Sequence, residues 1–202
     1  MSSRPGFPLL AAFALALLCV SAPARADENL LHGPHPFLKE NDLSAHVLIA
    51  NGLGSSMSGA KLAFDYGYRV TSGPYALGID LSLNLQQAAC TQTGTQGLCG
   101  PDTGTLFETL AGARWKFRTP IPLVPFVSAQ GGIVFSFPNG ADAAAGPMAR
   151  VVGGANYFFF DWLGLGAAAG FSLGYLDYDS TFTGGTHEYA VFDVGGGVEF
   201  QF

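Results

Sequence analysis

Chemistry at a lipid or metal would have to come from a few residues. The chain has four histidines: His32, His35, His46 and His187. Acyl transfer or hydrolysis needs a histidine, an activated serine and a carboxylate close together. His187, with Glu188 beside it and Ser180 nearby, is the one set of that composition. No catalytic motif surrounds it, and a solvated loop histidine accounts for it, so no catalytic residue is assigned. His32 and His35 form a His-x-x-His pair, but two ligands do not make a zinc site, and no metal is assigned. The stretch Gly164-x-Gly166-x-x-x-Gly170 is one residue too long for a dinucleotide fingerprint and lies inside an alternating segment, so no cofactor is assigned. The carboxylates Asp102, Asp142, Asp177, Asp179 and Glu188 lack the spacing of a calcium loop and read as solvated loop charge.

What surrounds these residues narrows the class. Asp, Glu, Lys and Arg make up 12% of the 202 residues, about half the usual share. Apolar residues reach 49%, with 28 Gly, 17 Phe, 7 Tyr and 2 Trp. This profile excludes intrinsic disorder and a coiled coil. A formal net charge of −6 argues against nucleic-acid binding, which needs a basic surface. An ordinary water-facing surface carries about 25–35% charged residues, so the scarcity of charge also poses a question about solvent.

The first 26 residues read as an address. Arg4 precedes the unbroken apolar run Leu9 to Val20, and Ala24-Arg25-Ala26 matches a small-x-small cleavage site. The run is too short to span a bilayer, so this is a secretory signal peptide cleaved after Ala26. Removal of Arg4 and Arg25 leaves seven basic residues against fifteen acidic. Cys90 and Cys99 remain, in the polar stretch CTQTGTQGLC with no histidine nearby. Export implies an oxidising compartment, so they read as one local disulfide, worth about 2–3 kcal/mol in the chain-entropy picture. Residues 27–43 read as an irregular N-terminal periplasmic tail that either hangs free or tucks into the mouth of the following domain.

From residue 44 to 202 the apolar pattern has a period of two. In Tyr75–Leu85, the residues Tyr75, Leu77, Ile79, Leu81, Leu83 and Leu85 fall on one face and Ala76, Gly78, Asp80, Ser82 and Asn84 on the other. Strict alternation means strands. Eight follow: 45–53, 60–70, 74–86, 105–117, 123–137, 147–159, 163–177 and 187–202. The alternation of the first is blurred. Gaps after the second, fourth and sixth are short, and those after the third, fifth and seventh are longer and polar. The expected fold is all-β, an eight-stranded antiparallel up-and-down transmembrane β-barrel, with short periplasmic turns and longer extracellular loops. A soluble eight-stranded barrel also alternates, but its outer face should be rich in Lys and Glu. Here the small, polar face consists mostly of Gly, Ala and Ser, which suits a narrow interior. Aromatics at the strand ends add two belts. Tyr68, Tyr75, Trp115, Phe117, Tyr157, Phe159, Trp162, Phe200 and Phe202 mark one, and Phe107, Phe135, Phe137 and Tyr175 the other.

With these strands and the ending Val198-Glu199-Phe200-Gln201-Phe202, the chain resembles the small bacterial outer-membrane barrels, a group including OmpA-, OmpX- and OmpW-type proteins. The resemblance implies residence in the cell outer membrane, among its lipid and lipopolysaccharide. It also implies that Phe200 and Phe202 present the C-terminal strand to the barrel-assembly machinery, and that the outer loops are where an extracellular ligand would bind.

Register then places Lys61, Asp65, Arg69, Asp80, Glu108, Arg114, Lys116, Arg150, Asp193 and Glu199 on the inward face, five basic and five acidic. A charge at mid-depth on the lipid face costs about 2–4 kcal/mol. Strand heights predict that Arg114 pairs with Asp80, Asp65 or both, and that Arg69, Lys116 and Glu199 form a lower cluster. Leu110, Val134, Val152 and Val191 also point inward, which favours a closed interior. The expected role is structural or surface-interacting. A narrow channel for small or apolar solutes is the alternative, and a lipid-modifying enzyme a third.

Overall fold

The computed structural model describes residues 37–53, 57–71, 75–90, 103–138, 143–178 and 185–202. The eight strands are β1 (Asn41–Gly52), β2 (Met57–Arg69), β3 (Tyr75–Cys90), β4 (Thr103–Phe117), β5 (Leu123–Pro138), β6 (Ala144–Phe160), β7 (Leu163–Tyr178) and β8 (Gly185–Gln201). Each pairs antiparallel with its sequence neighbour, and β8 pairs with β1, so the chain is an all-β closed up-and-down barrel. Closure removes every free sheet edge within the ladder, which a bilayer interior requires.

The register fixes the shape of the barrel. Following paired Cα atoms around it from Asp42 leads through Gly67, Asp80, Gly112, Gln130, Arg150, Ser172 and Val191 to Gly52. The circuit therefore climbs from residue 42 to residue 52, a shear of about ten residues in eight strands. With ordinary strand spacings this tilts the strands by roughly 40° and leaves an interior filled by side chains. At that tilt β3 rises about 40 Å along the barrel axis and β1 about 30 Å, against a lipid-facing band of roughly 25 Å. The strands therefore run farther at the end opposite the termini than the alternation alone predicts. β3 reaches Cys90, β5 reaches Pro138 and β8 begins at Gly185.

The first strand needs correction. β1 starts at Asn41, not at residue 45, so it takes in the end of the segment read as a tail. Its outward residues Leu43, Val47 and Ile49 are exposed, while Asp42, Ser44, His46, Leu48 and Ala50 are buried inside. The alternation looks blurred because the inward face itself changes from polar to apolar along the strand. Phe37–Glu40 then cross the mouth, and Leu38 is buried against Ala76, Val124 and Phe158. The tail thus tucks into the barrel, at least from Phe37 onward. Cys99 lies outside the described residues, as do residues 1–36, so the disulfide and the signal peptide fall beyond the described structure.

The outer surface is apolar along the strands. Val47, Ile49, Ile79, Leu81, Leu83, Val151, Leu165 and Leu173 are all exposed, far more than a water-facing surface tolerates as one continuous band. At the termini end, Phe160 stacks on Trp162 at 5.7 Å and Trp162 on Phe200 at 6.2 Å. There Tyr66 donates to Asn41 Oδ1 at 2.8 Å and Tyr68 to Glu40 Oε1 at 3.1 Å. Rings with an apolar body and a tethered hydroxyl suit a lipid–water boundary. Phe107 and Phe135 pair at 6.3 Å toward the other end. Leu81→Arg puts a charge on this band near mid-depth, and should destabilise the barrel by about 2–4 kcal/mol in lipid, as read by urea unfolding of the reconstituted protein.

Candidate functional site

The lumen is where the polar side chains meet, and strand parity decides which ones enter it. Inward positions alternate along each strand, so Lys61, Asp65, Asp80, Glu108, Arg114, Lys116, Arg150, Asp193 and Glu199 are all buried although each belongs to a residue type that favours water. Such groups are stable only when paired and hydrogen-bonded.

The pairs form two groups. In the first, Lys61 Nζ lies 2.8 Å from Glu108 Oε2 and 3.1 Å from Asp193 Oδ2. Arg150 Nη2 reaches Asp193 Oδ1 at 2.8 Å, and Asn84 donates to Glu108 Oε2 at 2.8 Å. In the second, Arg114 lies 2.9 Å from Asp80 Oδ1, 3.1 Å from Asp42 Oδ1 and 3.7 Å from Asp65 Oδ1. Its guanidinium also sits 5.3 Å from the Phe126 ring centroid, over the ring face. Lys116 Nζ reaches Glu199 Oε1 at 2.6 Å and Asp42 Oδ2 at 2.8 Å. Ser128 and Gln130 donate to Asp80 Oδ2 at 2.5 and 2.7 Å. Asp65 accepts from Ser82 and lies 3.5 Å from His46 Nδ1. Asn156 and Gln201 both donate to Glu199, each at 2.6 Å.

The structure brings Arg114 to both carboxylates named from strand heights. It also adds residues that the sequence pattern did not single out. Asp42 bridges Arg114 and Lys116, so the five-against-five balance is corrected: among the described residues, six carboxylates are buried in the lumen against Lys61, Arg114, Lys116 and Arg150. Arg69, expected in a lower cluster with Lys116 and Glu199, is half-buried at the mouth, where its guanidinium donates to the Leu38 carbonyl. Asp42 and His46 were legible in principle. Continuing the outward series Leu43, Ala45, Val47 and Ile49 backward puts both on the inner face. Phe126 and Phe158, buried among small residues on their strands, carried no such signal.

Glycine makes room for these pairs. A Cβ on Gly170 would lie 2.6 Å from Asp193 Oδ1 and 3.0 Å from Arg150 Nη2. One on Gly67 would lie 2.6 Å from Asp42 Oδ1. The 2.6 Å approaches are shorter than real Cβ contacts, so a Cβ at either position would displace the charged side chain beside it.

Apolar residues close both ends. Leu106, Leu110, Val134, Met148, Leu176 and Val191 pack as one buried cluster in the half of the lumen away from the termini. Leu38, Ala76, Val124 and Phe158 pack at the other mouth, with Phe37 stacked on Phe158 at 5.9 Å. Lys39 ties this stopper down: its backbone N–H donates to Gln201 Oε1 at 3.1 Å, and its Nζ pairs with Asp161 at 3.3 Å. The side chains of His187 and Ser180 lie outside the described residues, so the one set with hydrolase composition falls beyond the described structure.

A closed up-and-down barrel of eight strands is a fold that known structures share. Neisserial surface protein A (NspA) superposes with a TM-score of 0.57 at 16% identity, covering 80% of this chain and 96% of that one. The chain has the fold of the small outer-membrane barrels. The N-terminal β-barrel domain of Pseudomonas aeruginosa OprF matches at a TM-score of 0.44 and 16% identity, over 81% of this chain and 100% of that one. OprG, an outer-membrane protein of Pseudomonas aeruginosa, matches at 0.46 and 9%, over 83% and 99%. No protein-family model matches the sequence, and neither does any curated protein.

Within this barrel fold Lys61 is the sharpest test of the buried pairs. Lys61→Met leaves Glu108 and Asp193 without their shared ammonium and should cost about 3–5 kcal/mol, read as a lowered urea midpoint. Adding Glu108→Gln should recover part of the loss. Gly170→Ala should cost about 1–3 kcal/mol through displacement of the Arg150–Asp193 pair.

Proposed function

We propose that this protein is an outer-membrane barrel with a sealed lumen, and that it acts through the surface it displays outside the cell, not by conducting solutes or transforming them. The observation that carries this reading is the filling of the lumen. An apolar cluster, a set of buried ion pairs and the Leu38–Phe158 stopper follow one another along its axis. They set three barriers in series along the axis. The apolar exposed band and the aromatic rings at its ends support residence in a bilayer. The fold shared with NspA, itself named a surface protein, supports the outer membrane as the location.

The reading has further parts. Residues 1–26 direct export and are removed after Ala26. Phe200 and Phe202, both exposed at the end of the seam strand β8, present the chain to the barrel-assembly machinery. Cys90 and Cys99 close the loop between β3 and β4 as a disulfide. Lipopolysaccharide surrounds the outer band, and the loops between strands meet an extracellular ligand.

In planar bilayers the folded protein should give no reproducible open state. A stable conductance abolished by lumen substitutions such as Arg114→Met would replace this reading with that of a narrow channel. Unheated protein should migrate ahead of heated protein on a denaturing gel and fractionate with outer membranes. The lipid profile of a deletion strain, or of one carrying His187→Ala, should match the parent; a changed profile would indicate a lipid-modifying enzyme.

A further inference from the structure

Between the two groups of ion pairs lies a cavity of about 10 Å³, room for one water molecule. Its lining includes His46 from β1, Arg114 from β4, Gln130 from β5 and Arg150 from β6. Each of these four carries one buried polar atom without a partner: His46 Nε2, Arg114 Nε, Gln130 Oε1 and Arg150 Nε. All four residues are more than nine-tenths buried. Four orphaned groups around one small space are costly, because each loses its hydrogen bond to bulk water and gains none in return.

The chemistry of the lining selects the occupant. An arginine Nε–H only donates, and Gln130 Oε1 only accepts. The amide orientation of Gln130 is set by its nitrogen, which donates to Asp80 Oδ2 at 2.7 Å and Ser82 Oγ at 2.5 Å. A cation would face the two guanidinium groups. An anion would face Gln130 Oε1 and the carboxylates of Asp65 and Asp80, which also line the space. An apolar atom would leave all four orphans unpaired. A neutral molecule that both donates and accepts, and is no larger than water, meets the charge, the polarity and the volume.

We propose that this cavity is a binding site for a single internal water molecule, and that this water joins the two ion-pair groups into one network. The bonds described above divide cleanly. Arg150 belongs with Lys61, Glu108 and Asp193; His46, Gln130 and Arg114 belong with Asp42, Asp65 and Asp80. A water that accepts from Arg150 Nε and donates to Gln130 Oε1 spans the division, with His46 Nε2 as a third partner. Apolar clusters lie beyond it toward both ends of the lumen.

Two measurements decide the matter. High-resolution diffraction from the folded wild-type protein should show one peak within hydrogen-bond distance of His46 Nε2 and Gln130 Oε1. An empty cavity, or density larger than one water, overturns the assignment. A double-mutant cycle of Gln130→Met and Arg150→Met, read as unfolding midpoints, should be non-additive because both residues hold the same water. Additive effects overturn the bridging role. If the Arg150 variant does not fold, the wild-type density still decides whether the water is there.

Discussion

A barrel of eight strands with a shear of about ten has an interior the width of facing side chains, and that width governs everything else in this molecule. No space is left for bulk water, so each inward side chain must be packed or paired by another one. Charged groups can exist there only as mutual partners. Lys61 meets two carboxylates and Arg114 meets three. Glycines stand where a Cβ would strike those partners, as at Gly67 and Gly170. Other glycines stand where a Cβ would strike the backbone of the adjoining strand, as at Gly112, Gly132 and Gly195.

The same limit separates the two faces of every strand. Successive side chains point to opposite sides, so one residue enters the lumen and the next meets lipid. The outer face carries Leu, Ile, Val and aromatic residues that a soluble domain would bury. The inner face carries most of the charge among the described residues. In a soluble protein this would be inverted, with charges outside and large apolar groups inside. Inversion is stable here because lipid replaces water outside and pairing replaces water inside.

Sealing comes from the ends. The apolar cluster of Leu106, Val134 and Leu176 blocks one half, and a short N-terminal segment blocks the other. That segment draws on β2 through Arg69, on β5 and β6 through Val124 and Phe158, and on β8 through Gln201. Its seat therefore exists only once the barrel has closed. Asn41 and Phe202 exchange backbone hydrogen bonds of 3.0 and 3.1 Å across the β1–β8 seam, so the same short stretch both stops the mouth and joins the seam.

The two-residue period was enough to establish the strands, their number, which face meets lipid, and the inward position of charges such as Arg114 and Asp80. A strand's side chains alternate whatever its neighbours do, so these features are local and readable along the chain. The start of β1 was harder, because His46, Leu48 and Ala50 share an inward face that changes polarity with height. Strand heights placed Arg114 with Asp80 and Asp65, and Lys116 with Glu199, but only the tertiary structure decided the other partners. Asp42 joins Arg114 and Lys116 across more than seventy residues of sequence, and Arg69 bonds to the Leu38 carbonyl. The reason is physical. Period two tells which side a residue faces, but shear sets its height relative to other strands, and pairing across a lumen depends on height. The packing of Phe126 and Phe158 against distant small residues, and the cavity left beside His46, exist only once all eight strands stand in register.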